Sequence, residues 1–234
     1  MTLSGVLLVA ALVAVALLIY PGELSQVSSA SHRWLYDRSA GRYERKWRSP
    51  PYADSVHTAR IGAHAAASCS DSGVDHVLDL GCGTGRGVRI VAPFLPDSAT
   101  FTCIDFSRRM LDEFRAWLAT SGTTLADRVT LIERSLDDWA TSPAPDTVCY
   151  GLVLLLEVGE FLPEFVRTVE RAASLTAPRG GLVMTRPAGA WCWAFPGRSQ
   201  SREGLRRVLE SSGYCELQFL PWRSRYELVL ARKR

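Results

Sequence analysis

The sequence predicts an α/β domain: a doubly wound, mostly parallel seven-stranded sheet with an antiparallel last strand, preceded by an N-terminal transmembrane helix. Three observations predict it. Short apolar runs alternate with amphipathic runs between residues 77 and 232, as in βαβ units. The first apolar run enters a glycine-punctuated loop, Asp79-Leu80-Gly81-Cys82-Gly83-Thr84-Gly85, and a helical pattern follows. Residues 3–20 carry no charged side chain and are followed by Pro21-Gly22.

The N-terminal run comes first. Eighteen helical residues rise about 27 Å, close to the thickness of a bilayer core. A cleaved signal peptide is the alternative, with Ser28-Ser29-Ala30 as its cleavage site, but Met1 to Gly5 lacks the basic residues such a peptide needs. Residues 31–48 carry Arg33, Arg38, Arg42, Arg45, Lys46 and Arg48 against Asp37 and Glu44. The positive-inside rule keeps that flank, and the domain behind it, on the cytoplasmic side. The expected organisation is an anchor over 1–20, a linker and helical cap over 21–68, and the α/β domain over 69–234.

The cap reads as helix interrupted at Ser49-Pro50-Pro51 and is rich in aromatics. Strands are expected at 77–80, 99–104, 128–133, 146–153, 181–186, 214–220 and 225–232. Helices are expected at 86–94, 107–120, 161–175 and 201–212. The last two strands are joined by Pro221-Trp222-Arg223-Ser224, too short for a crossover, so they pair antiparallel.

Composition narrows the function. The chain has 234 residues, 47% hydrophobic, with a net charge of +3, which leaves no nucleic-acid footprint. None of the six cysteines forms a C-x-x-C pair, and no cluster has zinc spacing. No metal is expected, and the cysteines read as free thiols in a reducing compartment.

The glycine loop carries the chemistry. Glycine serves where the backbone turns sharply or a ligand lies against it. A dinucleotide fingerprint would place its third glycine at residue 86, which is Arg86, so a nicotinamide-dependent oxidoreductase is disfavoured. The pattern D-x-G-x-G-x-G, led by Asp79, resembles motif I of the class I S-adenosylmethionine methyltransferases, a Rossmann-like family. The antiparallel ending of the sheet resembles that fold too. The resemblance covers roughly residues 70–234 and implies S-adenosylmethionine as cofactor.

It also implies site residues. Asp79 orders the loop, and Gly81, Cys82, Gly83 and Gly85 face the cofactor. Asp105, at the end of the second strand, accepts from the ribose hydroxyls. Phe106 and Met110 cover the adenine. Many members bind the adenine amino group with an acid after the third strand. The closest register here has Ser135 there, with Leu136 next, and Asp137 is the alternative. Gly151 is placed on the rim beside the sulfonium.

Methyl transfer from a sulfonium needs mainly proximity and alignment. Candidate catalytic groups are Glu157 after the fourth strand, His57 and Tyr43; Glu160 and His64 are further candidates. No Asp-Pro-Pro-Tyr or Asn-Pro-Pro-Tyr follows the fourth strand, which argues against nucleobase amines. Tyr36, Tyr43 and Trp47 of the cap, and Trp191, Trp193 and Phe195 after the fifth strand, are the candidate acceptor-binding residues. With an anchor close by, they point to a small hydrophobic or lipid-like acceptor. A membrane-tethered module that binds the cofactor without catalysis, and a methyltransferase with a protein acceptor, are the alternatives.

Overall fold

A computed structural model describes residues 29–48, 55–120, 124–142, 148–195, 199–222 and 225–234. The expected anchor over 1–20 lies outside these residues. No helix among the described residues is long and apolar enough to cross a membrane.

Two helices come first, α1 (Ser29–Arg48) and α2 (Ser55–Ser72). Then follow β1 (His76–Leu80), α3 (Arg86–Val91), β2 (Thr100–Asp105), α4 (Arg108–Thr120), β3 (Val129–Glu133), α5 (Leu136–Thr141) and β4 (Tyr150–Leu155). The chain ends with α6 (Phe165–Leu175), β5 (Thr176–Pro187), α7 (Arg202–Ser211), β6 (Tyr214–Trp222) and β7 (Tyr226–Lys233). The sheet order is β3-β2-β1-β4-β5-β7-β6. The pairs from β3 through β5 are parallel, while β7 runs antiparallel to both β5 and β6.

The central strands are buried on both faces, which is why they read as near-continuous apolar runs. Val77 belongs to the core on one face, with Phe101, Leu152 and Val183. Leu78 and Leu80 belong to the other, with Ile104, Val153 and Met184. The helices supply complementary stripes. Leu111, Phe114 and Leu118 are among the buried residues of α4 and recur at helical spacing, as do Phe165, Val169 and Ala172 of α6. Each of the larger of these side chains contributes about 1.5–3 kcal/mol on burial.

Two expectations change here. β4 begins at Tyr150 and runs to Leu155. Gly151 therefore lies at the amino end of the strand, not on the cofactor rim. A Cβ there would sit 1.9 Å from the Val74 carbonyl oxygen, so close backbone packing explains this glycine. The rim is formed instead by the residues after Leu155. The sequence reading also missed α5. It is a short helix capped by Ser135, whose hydroxyl accepts from the Asp137 N–H at 3.2 Å.

Candidate active site

The order of the strands reverses between β1 and β4, where doubly wound sheets bind ligands beyond the strands' carboxyl ends. Four segments meet there: the glycine loop after β1, Asp105 ending β2, the turn after β4, and α1.

The glycine loop folds as its sequence requires. Gly85 sits at φ +85° as the N-cap of α3, and a Cβ there would strike the Phe114 ring at 2.2 Å. Gly83 has φ +53° and open space where a Cβ would stand, so its face offers room for a ligand. The loop is tied down by Gly81 and Cys82 N–H groups donating to the Ile104 carbonyl at 2.8 and 3.1 Å. Cys82 is buried, and burial pushes its thiol well above its ordinary pKa. That suits a packing residue and not a nucleophile.

Asp79 is 2% exposed. Burial raises its pKa to about 7, against the opposing pull of Arg86. Its Oδ2 finds no hydrogen-bond partner among the described residues. Asp105 accepts from the Gly83 N–H and the Ser107 N–H, both at 2.8 Å. Burial nevertheless raises its pKa to about 6. Glycine loop, orphaned buried carboxylate oxygen and a second buried acid fit a ligand that brings hydroxyls and positive charge.

The neighbouring residues fall into place around Asp105. Phe106 is half-buried and meets Tyr36 edge-on at 5.7 Å. Met110 is fully buried on α4. The Arg134 N–H donates to the Asp105 carbonyl at 2.9 Å, which brings Ser135 and Leu136 alongside. Ser135 is engaged as an N-cap and Leu136 is buried. Asp137 follows in the first turn of α5.

The turn after β4 carries the densest polar network. Glu157 has φ +57°, a left-handed conformation that a non-glycine residue adopts only when its surroundings enforce it. Its N–H donates to Thr185 Oγ1 at 2.6 Å, and its carboxylate accepts from Trp222 Nε1 at 3.2 Å. Arg86 pairs with the same carboxylate at 3.2 Å. The residue that breaks a dinucleotide fingerprint thus reaches across the site to lock the β4 turn. Tyr43 of α1 lies within electrostatic reach of Arg86. His57 stacks edge-on against Trp222 at 5.3 Å, its Nε2 bonded to the Pro221 carbonyl. Glu157, Tyr43 and His57 therefore converge through Arg86 and Trp222.

Glu160 is 1% exposed and accepts from the Tyr226 hydroxyl at 2.5 Å. The Trp191 side chain lies close to that hydroxyl. Arg225 lies over the Trp191 ring at 4.4 Å. The three aromatics after β5 part company: Trp191 joins this network, Phe195 is fully buried against Phe161, and Trp193 is 86% exposed. His64 sits elsewhere. Its Nε2 bonds to the Ala231 carbonyl at 3.1 Å, and burial lowers its pKa to about 4, so it ties α2 to β7. The side chain of Trp47 lies outside the described residues. Arg86, Trp222 and Tyr226 have roles that sequence reasoning did not assign. A buried arginine directly after a glycine loop needs an acid partner, and that was the available signal.

With this geometry in view, the comparisons are consistent. A protein-family profile described as a methyltransferase domain matches residues 77–180. The trans-aconitate 2-methyltransferase of Methylobacterium radiotolerans is 29% identical over 156 residues, covering 60% of this chain and 54% of the relative. That of Escherichia coli is 26% identical over 189 residues, covering 74% of this chain and 68% of the relative. The chain thus spans about half the length of the first relative. Magnesium protoporphyrin IX methyltransferase from Synechocystis, solved with S-adenosylhomocysteine, aligns with a TM-score of 0.61 at 18% identity, covering 88% of this chain and 100% of that one. The same enzyme solved with S-adenosylmethionine aligns with a TM-score of 0.56 at 20% identity, covering 86% and 95%. The likeness fits the class I methyltransferase fold. The domain match and these neighbours support S-adenosylmethionine as the cofactor.

Proposed function

We propose that this chain, which carries a methyltransferase domain over residues 77–180, is an S-adenosylmethionine-dependent methyltransferase for a small acceptor with an apolar body, working at the cytoplasmic face of a membrane. The observation that carries the reading is the meeting of the Asp79–Gly85 loop with Asp105 at the switch point of the sheet. Asp105 would hold the ribose, the glycine loop would lie against the methionine part, and Phe106 would lie near the adenine. Bound there, the cofactor supplies an activated methyl group. The chain's own residues position the two reactants and keep water out.

The acceptor would arrive at the turn after β4, between α1 and the loop after β5. Tyr36, Phe161 and Trp191 offer apolar surface there. Glu157 and Glu160 put carboxylates at the same place, which disfavours a polycarboxylate such as the acceptor named for the trans-aconitate relatives. Glu160 would be a group to receive an acceptor proton, beside the candidate Glu157. The membrane part of the reading rests on residues 3–20 and the arginine-rich flank.

The test is direct. Purified protein is titrated with S-adenosylhomocysteine by calorimetry, then incubated with methyl-labelled S-adenosylmethionine and either lipid or aqueous extract. Binding together with label in a lipid-extractable product supports the proposal. Binding without transfer to any fraction would leave a non-catalytic module, and label on protein alone would leave a protein acceptor. Asp105→Ala should weaken, by at least about tenfold, the binding on which all three depend.

A further inference from the structure

Glu157 is a strained residue in the turn after β4, beside the glycine loop. Its φ of +57° is held without glycine's freedom, and such strain persists only while the surroundings enforce it. Partners from three elements enforce it. Thr185 Oγ1 of β5 accepts from its N–H at 2.6 Å. Trp222 Nε1, at the end of β6, and Arg86 Nη2, at the start of α3, both meet its Oε1 at 3.2 Å. Released from these partners, the turn would relax.

Arg86 belongs to the other half of the site. It directly follows Gly85, the last glycine of the loop. Asp79, which leads the loop, lies alongside. A Cβ at Gly87 would stand 2.5 Å from Asp79 Oδ2, and Asp79 is within electrostatic reach of Arg86. The arginine therefore stands between two acids. One is buried on the donor side, with an Oδ2 that finds no partner among the described residues. The other is the strained Glu157. A second contact runs beside this one. A Cβ at Gly81 would strike Val158 Cγ2 at 2.4 Å, so the loop backbone lies directly against the residue after Glu157. The Val158 carbonyl accepts from the Phe161 N–H at 2.9 Å, and the turn so closed carries Glu160.

We propose that Arg86 is a positioning residue that couples the two halves: a donor in the glycine loop tightens the Arg86–Glu157 pair and sets the β4 turn, so the acceptor meets a formed site once the donor is bound. This rests on the methyltransferase reading above. With the loop empty, Asp79 and Glu157 share the pull of one guanidinium. A ligand that brings positive charge to the loop satisfies Asp79 and leaves Arg86 to Glu157. The two-state element is the turn itself, strained and ordered with the pair made, relaxed with it loosened. The coupling is reciprocal, so whatever orders the turn also favours the donor.

The experiment reads the turn, not turnover, in the full chain. Exchange of the Glu157 amide with deuterium is followed with and without saturating S-adenosylmethionine, and affinity is measured by calorimetry. In the unaltered chain the ligand should slow that exchange about fivefold. Arg86→Met keeps an apolar stem and drops the charge. It should still bind S-adenosylmethionine within about fivefold, yet the slowing should vanish. Arg86→Lys restores the charge and should recover part of the slowing. No slowing in the unaltered chain, or slowing that survives in Arg86→Met, would overturn the proposal. Equal loss in the Met and Lys variants would trace the effect to packing and overturn it too. So would a loss of affinity beyond about fivefold in a folded Arg86→Met chain, which would make Arg86 part of the donor site itself. Should Arg86→Met fail to fold, Glu157→Gln breaks the same pair from its other end and should likewise remove the slowing; slowing retained there would overturn the coupling. If the unaltered chain binds no S-adenosylmethionine, the methyltransferase reading has failed, and this proposal with it.

Discussion

Two acids make the apo site electrostatically unsettled. Burial holds Asp79 at about 7 and Asp105 at about 6, both from an ordinary value of 3.8. An acid whose folded pKa is raised binds more protons folded than unfolded between those values. Stability then falls as pH rises from about 4 to about 7 through these two groups. A cationic ligand restores the ionised forms, so binding releases protons. S-adenosylmethionine affinity should rise between about pH 5.5 and 7.5, and calorimetry near pH 6.5 in two buffers of different ionisation enthalpy should report proton release. Proton uptake would contradict the assignment. Asp105 and Asp137 also separate cleanly. Asp105 organises Gly83 and Ser107 from a buried position, and a charge-assisted hydrogen bond is worth about 1.5–3 kcal/mol. Asp105→Ala should cost at least about tenfold in S-adenosylhomocysteine affinity, and Asp137→Ala much less. Equal losses by calorimetry would shift the ribose role away from Asp105.

At the scale of elements, the aromatic loop after β5 shows what a sequence pattern conceals. Trp191, Trp193 and Phe195 alternate along the chain, yet they enter three environments. The segment Gly189–Ala194 is a 3-10 helix, which fans side chains outward instead of alternating them between two faces. Phe195→Ala should lower stability by about 3–5 kcal/mol, Trp193→Ala should leave stability unchanged, and Trp191→Ala should act on the Tyr226–Glu160 network. Thermal melts of the three single variants separate these outcomes. The central strands were legible because parallel strands buried on both faces show as apolar runs, and the glycine loop because its φ values demand glycine. Asp105 was legible because it closes the second strand. The end of β4 was not: residues 150–156 are uniformly apolar and buried, so no change of pattern marks where strand becomes rim, and Gly151 was placed at the wrong edge. Helix α5 was hidden by its six-residue length. The roles of Arg86 and Tyr226 depend on partners more than sixty residues away, which no local window joins.

At the scale of the whole molecule, the sheet's carboxyl edge is where α1 and the loop after β5 gather. Trp193 is 86% exposed and Trp34 of α1 is 60% exposed, while most other large apolar side chains are covered. Tryptophan left in water on the side of a site is costly, whereas at a membrane interface its amphipathic ring is stabilised. The apolar run over residues 3–20 directly precedes α1 in the chain after a short linker, so a tether there would hold that helix near the bilayer surface. The basic flank would then meet anionic headgroups, each arginine contributing about 1 kcal/mol. Three outcomes are expected. The full chain should sediment with membranes and resist carbonate extraction. Protease added outside sealed cells should leave the domain intact, because on the proposed topology the arginine-rich flank would retain it on the cytoplasmic side. A chain starting at residue 29 should bind liposomes containing phosphatidylserine more weakly in high salt, and Trp193→Ala should weaken that binding further. External digestion of the domain, or a mature chain beginning near Ser31, would instead mean a cleaved leader. The domain would then stand outside the compartment that supplies its cofactor, and the proposed reaction could not run there.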